Sequence, residues 1–224
     1  MAIAFVSSVT GPNQNATGST TIATSSGLNT ASGNMIVVGI RSDGANSISS
    51  VSDTAGNSYI KATDYSGSRL AIYYAVNVVG NASNIFTCTF SGSNTFREIL
   101  ACQYSGVLDS SPYDITSIGT STTTTVASAT FSTSYPNELI FCLLDIETTG
   151  TTWTAGTGYT LRAQNADKVL VSQDNIVSSI QSSVSVSATN TDNGTQKKIL
   201  IATFAEMKSA YSGSPIFFGN TAIA

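Results

Sequence analysis

Two pairs of carboxylates have a spacing that glycoside hydrolysis could use. Asp109 and Asp114 flank a proline turn, and Asp145 and Glu147 stand at a strand end with both side chains on one face. Glycosidases use such pairs as an acid with a base or a nucleophile. However, Asp beside a proline ordinarily caps the turn backbone. Carboxylates on one face repel each other unless a cation or water separates them. Neither pair therefore predicts catalysis.

The sequence contains no histidine. This removes the usual general base, the Ser-His-Asp and Cys-His arrangements, and the commonest metal ligand. Lysine could replace histidine as a base, but the sequence has no Ser-x-x-Lys motif. We therefore expect no catalytic residues and predict that the protein is not an enzyme.

Metal and cofactor ligands are equally sparse. Cys88, Cys102 and Cys142 are odd in number, fit no zinc motif and lie in apolar runs. We expect them to be buried and reduced, with a structural disulfide as the alternative. Asp53 and Asn57 place two oxygen ligands around a glycine turn, but a side-chain-bonded turn explains them better than calcium does. We therefore expect no metal and no cofactor.

Trp153 is the candidate residue for stacking on a sugar. β-Sandwich modules often present exposed aromatic rings to glycans, and Trp153 lies in a Thr-rich stretch near Tyr159. Tyr159 has a counterpart, Tyr59, in the internal repeat described below, which favours a core role for Tyr159. A glycan partner therefore depends on Trp153.

Composition and charge exclude further partners. Charged residues make up 10% of the chain, the net charge is −4, and there is no run of Lys or Arg. We therefore expect no nucleic-acid binding. Residues 1–6 lack the features of a signal peptide, and no apolar stretch approaches membrane-spanning length. We expect folding in the cytoplasm without membrane insertion, with a removed export signal as the alternative. The low charge also suggests that neighbouring subunits cover much of the surface.

Strand-like patterns dominate the chain, and no long helical pattern is present. The predicted strands are Ala4–Val9, Met35–Arg41, Tyr59–Ala62, Leu70–Val76, Ile85–Phe90, Ile99–Ser105, Leu139–Asp145, Tyr159–Gln164, Lys168–Ile176, Val184–Ala188 and Ile199–Phe204, with shorter ones near Ile22, Ile48 and Val126. Asn193-Gly194 predicts a hairpin between the last two. Many short strands at regular intervals predict an all-β, jelly-roll-like β-sandwich.

The chain also repeats itself at an offset of 100 residues. Arg97–Ala101 aligns with Lys197–Ile201, and Tyr59 aligns with Tyr159. Upstream the offset drifts by about three residues, a loop-sized difference, so that Met35 aligns with Glu138.

The repeat predicts a first sandwich half over residues 1–106 and a second over residues 107–206. The two halves could be tandem sandwiches or one interleaved body. The join has apolar residues and no low-complexity linker, which favours one compact body.

Residues 207–224 follow the repeat and form a predicted C-terminal arm. Ile216, Phe217 and Phe218 would be a liability if exposed, so we expect them to pack either on their own domain or at an assembly contact with a neighbouring subunit.

Segments Ser50–Tyr59, Ile72–Ala75 and Tyr104–Val107 resemble a loose group of β-sandwich domains in phage virion proteins and bacterial surface proteins. The second half resembles them through Thr154–Thr160. The resemblance implies a structural or adhesive role and carries over no catalytic residues.

These observations together predict a non-enzymatic virion structural protein, a phage capsid decoration protein. Its expected partners are other copies of itself, as a homo-oligomer, and a major capsid or other virion protein. The alternatives are a receptor- or glycan-binding module of a tail fibre or cell surface, and a subunit of an extracellular filament. The expected location is the virion, after synthesis in the host cytoplasm, or otherwise an extracellular surface.

Overall fold

The fold is all-β, as the sequence predicts. A computed structural model of the chain describes residues 1–13, 16–65 and 70–206, and every regular element within those ranges is a strand. All pairings between these strands are antiparallel. Short β-branched and aromatic runs favour strands because their side chains pack well on a pleated surface.

The described residues of the first half form ten strands. They are β1 (Ala4–Thr10), β2 (Ser19–Ala23), β3 (Leu28–Thr30), β4 (Met35–Arg41), β5 (Ile48–Asp53), β6 (Ile60–Tyr65), β7 (Leu70–Ala75), β8 (Asn81–Asn84), β9 (Phe86–Asn94) and β10 (Glu98–Ser105). They form a five-stranded sheet in the order β1-β10-β4-β7-β6, a three-stranded sheet in the order β2-β9-β5, and the pair β3-β8.

The second half contains eight strands. They are β11 (Tyr113–Ser121), β12 (Thr125–Ala127), β13 (Glu138–Ile146), β14 (Trp153–Ala155), β15 (Thr160–Gln164), β16 (Leu170–Val177), β17 (Ser187–Asn190) and β18 (Lys197–Ala205). They form a five-stranded sheet in the order β11-β18-β13-β16-β15 and a three-stranded sheet in the order β12-β17-β14. Within the described residues, no sheet mixes strands from the two halves.

Three hydrophobic cores separate four layers of sheet. One core lies between the two sheets of the first half and includes Ile22, Ile40 and Phe86. A second lies between the two sheets of the second half and includes Val126 and Leu144. The third, which we call the shared core, lies between the two five-stranded sheets and draws residues from both halves. The five-stranded sheets are therefore covered on both faces.

This double coverage explains the long apolar runs at the centre of each half. In β4, β13 and β18 every residue is buried. A sheet with one wet face would show alternating polar residues, whereas a sheet buried on both faces reads as a continuous apolar run. These runs mark the interior of the four layers.

Two local predictions are wrong. Asn193-Gly194 does not close a hairpin, because β17 pairs with β12 and β14 while β18 belongs to the five-stranded sheet. This connection crosses from one layer to the other. The predicted alignment of Met35 with Glu138 also slips by one residue: Met35 lies opposite Tyr104, and the corresponding partner of Phe204 is Leu139. A slip of one residue along a strand moves a side chain to the opposite face.

Four of the strands were not predicted from the sequence: β3, β8, β11 and β14. They are short or rich in Ser, Thr and Asn, residues that also dominate turns, so their local pattern does not distinguish strand from loop. Pairing with a neighbouring strand decides their conformation.

Candidate functional site: the contact between the two halves

The shared core is positioned by the two-residue period of its central strands. In β4, Met35 and Val37 face the shared core, whereas Ile36 and Val38 face the core of the first half. In β13 the same alternation sends Phe141 towards the shared core. Successive side chains of a strand point to opposite faces. Each central strand therefore contributes to two cores.

A buried ionic cluster lies at the edge of the shared core. The guanidinium of Arg41, in the first half, donates from Nε to Oδ1 of Asp145, in the second half, at 2.5 Å. Nζ of Lys198 donates to the other oxygen, Oδ2, at 2.7 Å. The side chains of Arg41 and Asp145 are each only 2% exposed. A buried carboxylate with two cationic partners is compensated, whereas any one of these charges alone would be costly to bury.

Further oxygens surround Arg41. Its Nη2 atom lies 3.0 Å from Oδ1 of Asp43, and its Nη1 atom donates to the carbonyl of Phe96 at 3.0 Å. Burial alone would lower the pKa of Arg41, but the negative charges of Asp145, Asp43 and Glu98 outweigh this effect and raise it. Arg41 is therefore a permanent positive charge inside the protein.

Glu98 is the unusual member of this region. It is fully buried, and a side-chain hydrogen bond with Asp167 favours its protonated form. Burial, followed by the negative charge of Asp167, raises the pKa of Glu98 to about 8, against the opposing effect of Arg41. A buried carboxyl in such surroundings is stabilised in its protonated form. Glu98 is therefore largely neutral at neutral pH.

A second polar cluster joins the halves away from Arg41. The Tyr104 hydroxyl of the first half donates to Oδ2 of Asp174 at 2.7 Å. Nε of Arg162 donates to Oδ1 of the same carboxylate at 2.8 Å. The guanidinium of Arg162 also lies 4.4 Å from the centre of the Phe5 ring. One charge-assisted hydrogen bond, from Tyr104 to Asp174, and one cation–π contact, between Arg162 and Phe5, thus cross between the halves here.

The carboxylate pairs considered for catalysis have other partners. Lys198 lies between the second pair, within 2.7 Å of Asp145 and 3.6 Å of Glu147, which supplies the cation that two neighbouring carboxylates need. In the first pair, Asp114 accepts a hydrogen bond from the Ser134 backbone at 2.7 Å, and Asp109 is exposed. The cluster that contains Asp145 and Glu147 is an ion-pair network and does not have the open geometry of a glycosidase site.

Trp153 does not form a stacking platform, and the sequence prediction for it is corrected. It lies in β14, is 3% exposed and packs in the second-half core. Its Nε1 donates to the Lys168 carbonyl at 3.0 Å, which satisfies the indole. A buried ring has no face for a sugar. Tyr59 and Tyr159 both pack against the cores of their own halves, as a core role requires.

The three cysteines are free and buried, as predicted. Burial raises the pKa of Cys88 and of Cys102 to about 12, and it also raises that of Cys142. Thiols with such pKa values are poor nucleophiles because the thiolate is the reactive form. All three serve as small buried apolar groups.

Asp53 has the environment of a structural turn residue. Its carboxylate accepts hydrogen bonds from the backbone and side chain of Asn57, from the Tyr59 hydroxyl and from the Asn84 amide, at 2.8–2.9 Å. Burial by itself would raise the pKa of Asp53, but these hydrogen bonds outweigh that effect and lower the pKa. A calcium ion would need oxygen acceptors in place of these donors. Nowhere in the described ranges do three or more potential metal ligands cluster.

The remaining predicted contact residues, Ile216, Phe217 and Phe218, lie outside the described residues. Over the part of the chain that is described, the surface forms no ligand pocket. That same part contains no helix that is long and apolar enough to cross a membrane.

Sequence reasoning missed the residues that join the halves. Arg41 and Asp145 each lie near the end of an apolar run. Alternation along the strand places both side chains on the face that lines the shared core. A charge on the buried face of a fully buried strand signals a partner across the core, since such charges are rarely left unpaired. That signal was present but did not identify the partner.

Comparison with known proteins returned no match: no family model, no curated protein and no solved structure is significantly similar to this chain.

Proposed function

We propose that this protein is a non-enzymatic structural component of a virion, a phage capsid decoration protein. The observation that carries the proposal is the placement of charge. The buried charged residues are Arg41, Glu98, Glu138, Asp145, Asp174, Lys197 and Lys198. Of the charged residues that the structure describes, Lys61, Asp109 and Glu147 are exposed, and the others are buried or partly buried.

Such a surface suits repeated assembly. A surface dominated by hydroxyl and amide groups packs against a neighbour without burying unpaired charge, which is the main penalty at polar interfaces. A protein that stays monomeric usually carries more surface charge to keep copies apart. The partners are therefore other copies of the chain and a major capsid protein, with the virion as location.

The layered body also suits a structural role. The described residues form three cores. Buried ionic and aromatic contacts join the two halves, so each half stabilises the other. We propose that each half is a jelly-roll-like sandwich derived from a common unit. The equal order of strands in the two five-stranded and two three-stranded sheets supports this.

A receptor- or glycan-binding module of a fibre or cell surface, or a filament subunit on an extracellular surface, is the alternative. The burial of Trp153 removes the residue on which glycan stacking depended. Low surface charge is compatible with each alternative, so the choice rests on where the protein is found.

The test is to locate the protein in purified particles. Phage particles from a host that expresses the chain are banded by density and analysed by quantitative mass spectrometry, together with the host cell-envelope fraction. A decoration protein should be present at a fixed ratio to the major capsid protein. Particles from a deletion strain should lose heat resistance and regain it when the purified chain is added back.

Enrichment in the cell envelope with none in the particles would contradict the proposal. Specific binding on a glycan array would support the glycan-binding module instead. Deleting residues 212–224 tests the predicted arm: the shortened chain should remain folded by circular dichroism but rebind particles more weakly.

A further inference from the structure

Strand register identifies equivalent positions in the two halves. Gly39 of β4 lies opposite Leu100 of β10, and Leu143 of β13 lies opposite Leu200 of β18. The paired strands occupy the same places in the two sheet orders. Gly39 and Leu143 are therefore the same position in the two halves.

The ionic cluster obeys the same correspondence. Arg41 lies opposite Glu98, and Asp145 lies opposite Lys198. Arg41 is thus equivalent to Asp145, and Glu98 is equivalent to Lys198. At both positions the sign of the charged residue type is reversed between the halves.

Contacts across the shared core are reciprocal. Tyr104 of the first half donates to Asp174 of the second. The equivalent positions, Phe204 of the second half and Tyr74 of the first, also meet, with ring centres 5.1 Å apart. When position i touches j and position j touches i, the interface is of the isologous, twofold kind. The two halves therefore meet as the two subunits of a symmetric dimer would.

Equivalent positions also touch each other directly, which is possible only beside the twofold axis. A Cβ added to Gly39 would lie 2.4 Å from Cδ1 of Leu143. Arg41 is hydrogen-bonded to Asp145. In a pair of identical halves these would be self-contacts, setting Leu against Leu or Arg against Arg. The real contacts instead set small against large and positive against negative.

We propose that the interface of each half is matched to the opposite half of the chain and mismatched to a second copy of itself. Half 1–106 would recognise half 107–206 through reversed size and reversed charge at the axis. Specificity of this kind combines a favourable contact with the intended partner and a repulsive contact with the wrong one. The inference does not depend on membership of a virion.

The first experiment cuts the full chain in its join. A protease site is inserted between Ser110 and Ser111, which are exposed, and the folded protein is cleaved. The cleaved protein is unfolded in urea, refolded by dilution and examined by native mass spectrometry. We expect 1:1 pairs of unlike halves, with pairs of like halves below a tenth of that signal. Like and unlike pairs in random proportion would overturn the proposal.

The second experiment keeps the chain intact and decides the matter if the cleaved halves fail to refold. The variant R41D/E98K gives the first half the charges of the second and so imitates a pair of like halves. The variant R41D/E98K/D145R/K198E exchanges the charges at all four positions, while Asp43 and Glu147 keep theirs. We expect the first variant to lower the folding equilibrium constant at least tenfold and the second to recover part of that loss. A complete exchange no more stable than the partial one would contradict the inference.

Discussion

Replacing Asp145 by asparagine should destabilise the protein strongly. Asn has the same shape as Asp but lacks the charge, so Arg41 and Lys198 would lose their shared buried carboxylate and keep only the more exposed Asp43 and Glu147. Removing one partner of a buried ion pair costs about 3–5 kcal/mol. The net stability of a protein is only about 5–15 kcal/mol. D145N should therefore lose a large share of the free energy of unfolding.

This change is measurable by urea denaturation. At a slope of about 2 kcal/mol per molar urea, the expected loss moves the midpoint down by about 1.5–2.5 M. Trp153 is the only tryptophan and is buried, so its fluorescence reports the second half. Far-ultraviolet circular dichroism reports both halves. Coincidence of the two curves tests whether the halves unfold together.

Two further variants make the reasoning specific. Glu147 belongs to the same cluster but its side chain is 50% exposed and lies 3.6 Å from Lys198. E147Q should cost less than about 1 kcal/mol, as exposed pairs do. The apolar triple variant R41M/D145L/K198M should be much more stable than D145N, because the carboxylates that lose their partners, Asp43 and Glu147, are partly exposed to water. If D145N unfolds within about 1 kcal/mol of the parent, the cluster does not hold the halves together.

Three other outcomes are expected. The raised pKa of Glu98, about 8 against an ordinary 4.5, means that the folded state holds a proton that the unfolded state releases. Stability should therefore fall as pH rises from about 5 to 8, by up to about 1.4 kcal/mol per pH unit, and E98Q should flatten the slope; an equal slope in E98Q would be evidence against this assignment. Cys88, Cys102 and Cys142 should resist a thiol reagent in the native protein and all react in urea, and a two-hydrogen mass gain on reduction would reveal a disulfide instead. W153A should cost about 3–5 kcal/mol, as for a core aromatic, whereas native fluorescence that changes on adding sugars would restore the stacking role.

The fold class was accessible from the sequence because strand formation leaves a local signature. β4 was predicted with its observed bounds, since its apolar residues run without interruption from Met35 to Ile40. The three cysteines were also predictable, because small apolar side chains inside such runs are usually buried. These conclusions need only neighbours along the chain.

The partner of Arg41 was not accessible, because it lies 104 residues away in sequence. The run that contains Arg41 shows that its side chain shares a face with buried residues, but it does not show what covers that face. Trp153 was misread for a related reason. A short Thr-rich segment has the composition of a loop, and only its pairing with β17 turns it into a buried strand.

The sequence by itself determined that the chain is built from strands and that histidine-based chemistry is absent. Each of these follows from residue type and short-range periodicity. The tertiary structure decided that two five-stranded sheets meet face to face, with Arg41 against Asp145 and Gly39 against Leu143. These contacts depend on which two sheet faces pack against each other. Period-two patterning specifies that a face is buried, whereas the identity of the opposing face is fixed by complementary size and charge across the core.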